Sequence, residues 1–184
     1  GNAWRGLCQQ LEIDNAQNGP VLPWRRVRGE RHARLVLGTA QLGMPYGITN
    51  RDGMPDGGLA RDIIKTAIDS GVTHIDTARG YGEAESRLGT ALADGDGDEI
   101  TVITKIGGFE RLDGEADQAT VNDFVDASVF RSCRDLRADS LDTLLLHSAE
   151  PLDAPGSRVM SRLFELHDDG VIAHLGLSVQ NPGE

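Results

Sequence analysis

The 184-residue chain carries 29 acidic side chains against 18 basic ones, a formal net charge of −11, with 39% hydrophobic residues. That acidity argues against a general nucleic-acid binder, which needs a basic surface to meet phosphates. No apolar run reaches the ~20 residues a membrane span requires, and the length suits one domain with a substantial core.

The N-terminus lacks the charged-then-apolar pattern of a secretory signal, and Cys8 and Cys133 are too few for a disulfide framework. The expected setting is therefore reducing and cytoplasmic. Cys133 falls on the apolar face of a predicted helix and reads as a buried thiol.

Residues 1 to about 33 show weak periodicity, broken by Gly19-Pro20 and Pro23. They read as an N-terminal extension, with room for a short hairpin. The segment WRRVRGERHAR concentrates Arg25, Arg26, Arg28, Arg31 and Arg34. Such a run is first a solvated strand face, and second a place to meet a phosphate or an acidic partner.

From Arg34 a rhythm sets in. RLVLGTA (34–40) reads as a strand, and 62–71 as a helix with Ala60, Ile63, Ile64, Ala67 and Ile68 at helical spacing and Gly71 as its stop. THIDTA (73–78) is the second strand, 83–95 the second helix and TVITK (101–105) the third strand. The tract DGDGDE (94–99) reads as a turn, because it lacks the register of a calcium loop. A longer helix over 120–137 places Val121, Phe124, Val125, Val129 and Leu136 on one side. DTLLLH (142–147), a helix over 157–170 and AHLGLSV (173–179) complete the series.

Alternating helices and apolar strands predict a parallel sheet of right-handed βαβ units. Doubly wound sheets and (β/α)8 barrels both fit. No G-x-G-x-x-G follows the first strand, since GTAQLG is a different loop, so a Rossmann site is disfavoured.

The chemistry collects at strand ends. Asp76 lies near the end of the second strand and Tyr81 in the loop after it. Lys105 is the last residue of the third strand and His147 the last of the fourth. C-terminal strand ends share one face of a parallel barrel, and that face carries active sites. Singly, each residue has a structural explanation: a helix-capping Asp, a solvated Lys, a polar-edge His. Jointly they make a proton donor. A phenol is a weak acid at neutral pH, a neighbouring ammonium favours its phenolate, and a carboxylate holds that ammonium in place. The imidazole can orient a substrate carbonyl.

The motifs LGTAQLGMPYGITNRDG (37–53), HIDTARGYGEAESRLG (74–89), VITK (102–105), DTLLLH (142–147) and GVIAHLGLSVQNPGE (170–184) together resemble the aldo-keto reductases, in the bacterial type whose first strand reads LGTAQ-x-G. The resemblance implies a (β/α) TIM-barrel fold over residues 34–184, incomplete because five of the family's eight strands are counted. It implies reduction of a small-molecule carbonyl to an alcohol, with Tyr81 as general acid, Lys105 and Asp76 as its tuning pair and His147 orienting the carbonyl. NADPH or NADH is the implied cofactor, with Gly38, Thr39, Ala40, Asp76 and Ser178 as the positions that would meet it. Beside Ser178, where the family usually has asparagine, this chain has Val179, as some bacterial members do.

The closing QNPGE reads as a helix start, with Asn181 as N-cap and Pro182 in the first turn. The family's last three βα units, which supply most cofactor contacts, lie beyond the residues matched. Two other readings therefore stand beside carbonyl reduction. One is a cofactor-independent acid/base enzyme (dehydratase, isomerase or cyclase) on the same residues, and the other a truncated, non-catalytic scaffold. Neither nucleic acid nor membrane is expected as a partner. A homo-oligomer that buries the open barrel edge is.

Overall fold

The computed structural model describes residues 35–179, apart from 49, 52, 94, 96, 114 and 149–155. Five strands, β1 (Val36–Gly38), β2 (His74–Asp76), β3 (Thr101–Ile106), β4 (Leu141–Leu146) and β5 (Ile172–Leu177), form one sheet. Each pairs in parallel with the next in sequence. The connections carry α1 (Ala40–Gly43) and α2 (Gly57–Asp69), then α3 (Ala84–Leu92), α4 (Gln118–Leu136) and α5 (Gly156–Asp168).

A doubly wound sheet reverses its strand order at a switch point. Here the order β1-β2-β3-β4-β5 never reverses, and α2, α3, α4 and α5 each touch the next helix in the series. The chain is therefore an arc of a (β/α) barrel. That resolves the choice which the strand-helix rhythm had left between two architectures.

Strand residues alternate between faces, and the register sorts them into rows. Leu37, Ile75 and Val102 align across three strands, and Ile106, Leu146 and Leu177 across three. Both rows belong to the core under the helices, with Ile64, Leu88, Val125 and Leu163 among the residues packed on them. The opposite, concave face carries the row Gly38, Asp76, Ile103, Thr143 and His174. No residue of this row belongs to that core, and Gly38, His174 and Gly176 are exposed.

Caps explain where the helices differ from expectation. Asp56 accepts a hydrogen bond from the Leu59 amide at 2.8 Å, which starts α2 at Gly57 rather than at residue 62. Asp117 caps α4 through the Thr120 amide at 2.8 Å, two residues ahead of the expected start. Arg137, in the left-handed region at φ 54°, ends that helix. Along α4, Val121, Val125, Val129, Cys133 and Leu136 are buried as their spacing predicted. On α2 the expectation fails at Ile63, which points outward while neighbouring Ile64 is buried. The expected first strand ends early, because Ala40 already belongs to α1. Within DGDGDE, Gly97–Glu99 form a single 3-10 turn. The N-terminal extension, Cys8, the arginine run from Arg25 to Arg34 and the QNPGE segment lie outside the described residues.

Candidate active site at the strand ends

Asp76, expected near the end of a strand over 73–78, is the last residue of the shorter β2. Lys105 is one residue short of the end of β3, and His147 follows β4 directly, so each stands one position from its expected place. Asp76 pairs in register with Ile103, two residues before Lys105, and period-two alternation puts Lys105 on the same concave face. The Lys105 ammonium donates to Asp76 Oδ1 at 2.6 Å and to the Thr77 carbonyl at 3.0 Å. Its side chain is 7% exposed, so this cation depends on those two acceptors. The same Nζ stands 5.2 Å from the centroid of the Tyr81 ring. His147 and Tyr81 meet edge to face, with centroids 5.8 Å apart and planes at 77°. The four residues picked out by sequence thus converge on one point of the rim.

The loop between β2 and α3 holds Tyr81 there through its own backbone. The Thr77 amide donates to Ile103 O at 2.8 Å, continuing the ladder past β2, and the Arg79 amide to Lys105 O at 3.0 Å. The Tyr81 amide closes a turn onto Ala78 O at 3.0 Å. The end of α1 braces the turn from outside, with Glu83 N donating to Gly43 O at 3.0 Å. This contact requires glycine on both sides. A Cβ at Gly43 would strike the Tyr81 carbonyl and the Ala84 amide, and one at Gly82 (φ 58°) would strike the Gly43 carbonyl.

A charged network that sequence reasoning missed anchors this loop. The Arg79 guanidinium pairs with Glu85 and, at 2.7 Å, with Asp135 on α4. The Thr104 hydroxyl of β3 donates to the other Glu85 oxygen at 2.7 Å. Glu85 is 1% exposed. Burial pushes its carboxyl above the usual range, outweighing the attraction of Arg79 and the hydrogen bonds of Thr104 and Ser132. The available signal was its position on α3, a carboxylate among the buried Ala84, Leu88 and Leu92.

His147 shifts the other way. Burial lowers its pKa, the Lys105 ammonium lowers it further, and Asp76 opposes the two. The imidazole is thus neutral near pH 7, with one ring nitrogen able to donate and the other to accept.

Of the positions suggested for a cofactor, Gly38, Asp76 and Ser178 lie at strand ends on this rim. A Cβ at Gly38 would meet nothing within 4 Å, so the space above it is open. Ser178 follows β5, held by its amide on Leu146 O at 2.9 Å. Thr39 has a different task. It is buried, and both its amide and its hydroxyl donate to the Asp76 carbonyl at 3.0 Å, clamping β1 to the end of β2. Ala40 opens α1.

An arc of parallel strands with an acid, an ammonium, a phenol and an imidazole on its C-terminal rim defines an α/β-barrel protein of the kind whose site lies at strand ends. The Aldo/keto reductase family model matches residues 34–184, and the chain belongs to that family. It is 35% identical over 149 residues to D-arabinose 1-dehydrogenase of Saccharomyces cerevisiae, an alignment covering 78% of this chain and 42% of that protein. Among solved structures, the holo form of aldo-keto reductase AKR11C1 from Bacillus halodurans is 26% identical with a TM-score of 0.63. The match covers 88% of this chain and 51% of that one. A Bombyx mori aldo-keto reductase in complex with NADP, 23% identical, shares the fold with a TM-score of 0.57, over 78% of this chain and 45% of its own. The chain thus spans about half the length of the relatives it matches.

Proposed function

We propose that this chain carries the proton-delivering part of an NAD(P)H-dependent carbonyl reductase. The observation that carries the reading is the convergence at Tyr81. The Asp76-bound Lys105 ammonium stands 5.2 Å from the ring centroid, and His147 lies edge-on to the same ring.

Each side chain has a distinct task. Neutral His147 donates a ring N–H to the carbonyl oxygen and sets its direction toward the phenol. As the carbonyl carbon is reduced, negative charge grows on that oxygen, and Tyr81 transfers its hydroxyl proton there. Lys105 offsets the charge left on the phenolate, while Asp76 and the Thr77 carbonyl keep the ammonium from turning away. General acid catalysis of this kind contributes roughly 10²–10⁴ in rate, and fixed charges in a partly dry site strengthen it.

The nicotinamide end of a dinucleotide fits the rim residues in their chemistry. Ser178 offers a hydroxyl suited to a carboxamide, and Gly38 leaves open space beside Asp76. When bound, the cofactor supplies hydride. The names of the relatives, a sugar dehydrogenase and aldo-keto reductases in holo and NADP-bound forms, support this choice.

The test is reduction of 4-nitrobenzaldehyde followed by NADPH absorbance, with cofactor binding read separately by quenching of intrinsic fluorescence. Tyr81→Phe should abolish turnover and leave NADPH binding intact. Undiminished turnover in that variant, or no binding of NADPH at millimolar concentration, would overturn the proposal.

A further inference from the structure

A cleft of about 670 Å³ opens beside His147. Its volume lies in the range of small-molecule sites. Gly80 and Gly82 of the Tyr81 loop and Gly107 and Gly108 after β3 line it. Gly107 packs closely on His147: a Cβ there would come within 3.2 Å of His147 Cβ. The far wall is one face of α4, where Phe124, Ala127, Ser128 and Arg131 recur at helical spacing. Ala127 and Ser128 are small enough to leave volume, and Phe124 offers an aromatic surface.

The charges along this cleft are uneven for a chain whose net charge is −11. Among the described residues, Arg79, Arg111 and Arg131 line it, against the one carboxylate of Glu110. Arg79 is fixed by Glu85 and Asp135. Arg111 and Glu110 touch only loosely, at 4.0 Å, with both side chains well exposed. Arg131 has no ion-pair partner among the described residues.

We propose that this cleft receives an anionic group, a carboxylate or a phosphate ester, of the carbonyl substrate. Resting on the reductase reading above, this names the substrate class as aldehydes or ketones with an acidic tail. The carbonyl sits at Tyr81 and His147, the body of the substrate lies along the lining glycines against Phe124, and the anion meets Arg131 and Arg111 with the Ser128 hydroxyl. A planar guanidinium suits such an oxyanion.

Two readouts separate this inference from the reductase reading. The first needs no turnover: titration of the chain with benzoate and with phenyl phosphate, followed by amide NMR. Saturable shifts at Gly107, Ser128 and Arg131 for either anion, weakened at least tenfold by Arg131→Gln, support the cleft, and the better of the two ligands identifies its anion. No saturable shift for either anion, or shifts indifferent to both Arg131→Gln and Arg111→Gln, overturn it even if the enzyme is active. The second readout compares 4-carboxybenzaldehyde with benzaldehyde. Arg131→Gln should raise KM at least tenfold for the acid and leave kcat, and both constants for benzaldehyde, unchanged. An equal effect on the two aldehydes would overturn the inference while leaving the reductase reading standing.

Discussion

The Arg79 amide donates to the Lys105 carbonyl at 3.0 Å, so the loop that carries the phenol is pinned to the strand that carries the ammonium. The Arg79 side chain extends the same fastening into the helix layer, through Glu85 of α3 and Asp135 of α4. One residue thereby couples the position of Tyr81 to the packing of two helices.

Removing that side chain should be costly. Arg79→Ala leaves the buried Glu85 without its cation, and breaking a buried pair from one side typically costs about 3–5 kcal/mol. Because the Glu85 carboxyl can take up a proton, the lower end of that range is expected in urea unfolding at pH 7. Glu85→Gln should be milder, since an amide can still accept from Thr104. The pH dependence has a definite sign. Glu85 has a folded pKa above its unfolded value, so its contribution is fully present below pH ~4.5 and declines as pH rises through the folded pKa. Glu85→Gln should flatten that slope. An Arg79→Ala protein with an unchanged unfolding midpoint would show that the network holds nothing in place.

The contact between Gly43 and the Tyr81 turn gives a second prediction. Gly43→Ala drives a methyl into the Tyr81 carbonyl and the Ala84 amide. Overpacking against main chain costs roughly 1–3 kcal/mol, and a displacement of the phenol by about 1 Å would cost roughly 10² in rate. Gly57→Ala is the control, because a Cβ there meets nothing within 4 Å and the residue opens a helix. Equal unfolding midpoints for the two variants would contradict the close approach.

Asp76 and Lys105 should separate stability from chemistry. Asp76→Asn leaves a nearly buried ammonium with no carboxylate, at a cost of roughly 2 kcal/mol after allowing for the partial exposure of Asp76. Turnover should fall by roughly 10²–10⁴. Adding Lys105→Met removes the uncompensated charge, so the double variant should recover most of the stability and none of the turnover. Recovery of both, or of neither, would show that the pair does not act as described.

The residues of the site were legible in sequence because their signal was positional. An acid, an ammonium and an imidazole at the ends of successive apolar strands have few reasons in packing to be there, and the parallel topology brings such ends together. Their mutual geometry was less legible. Thr39 looked like a cofactor contact, yet its hydroxyl serves the backbone of Asp76. Arg79 and Glu85 passed unnoticed because a buried ion pair joins residues whose partners, Thr104 and Asp135, are supplied by other elements. Helix starts slipped for a local reason: Asp56 and Asp117 cap ahead of the first periodic apolar residue, and hydrophobic spacing alone cannot register a cap.

His147 gives the last prediction, in which the sign matters most. Its folded pKa lies below the ordinary value of 6.5 because burial and the Lys105 ammonium both disfavour the imidazolium. The neutral ring is therefore the folded form, its stabilisation complete above pH ~6.5 and lost as pH falls through the folded pKa. In an NMR titration the His147 ring should have its midpoint below 6.5. Lys105→Met should move it up by removing a like charge, and Asp76→Asn should move it down by removing the opposing one. Opposite shifts in these two variants would place the imidazole within the field of both charges, as a carbonyl-orienting residue at this site requires. A midpoint above 6.5, or one indifferent to both substitutions, would take His147 out of the charged cluster and leave Tyr81 without the partner that directs the substrate to it.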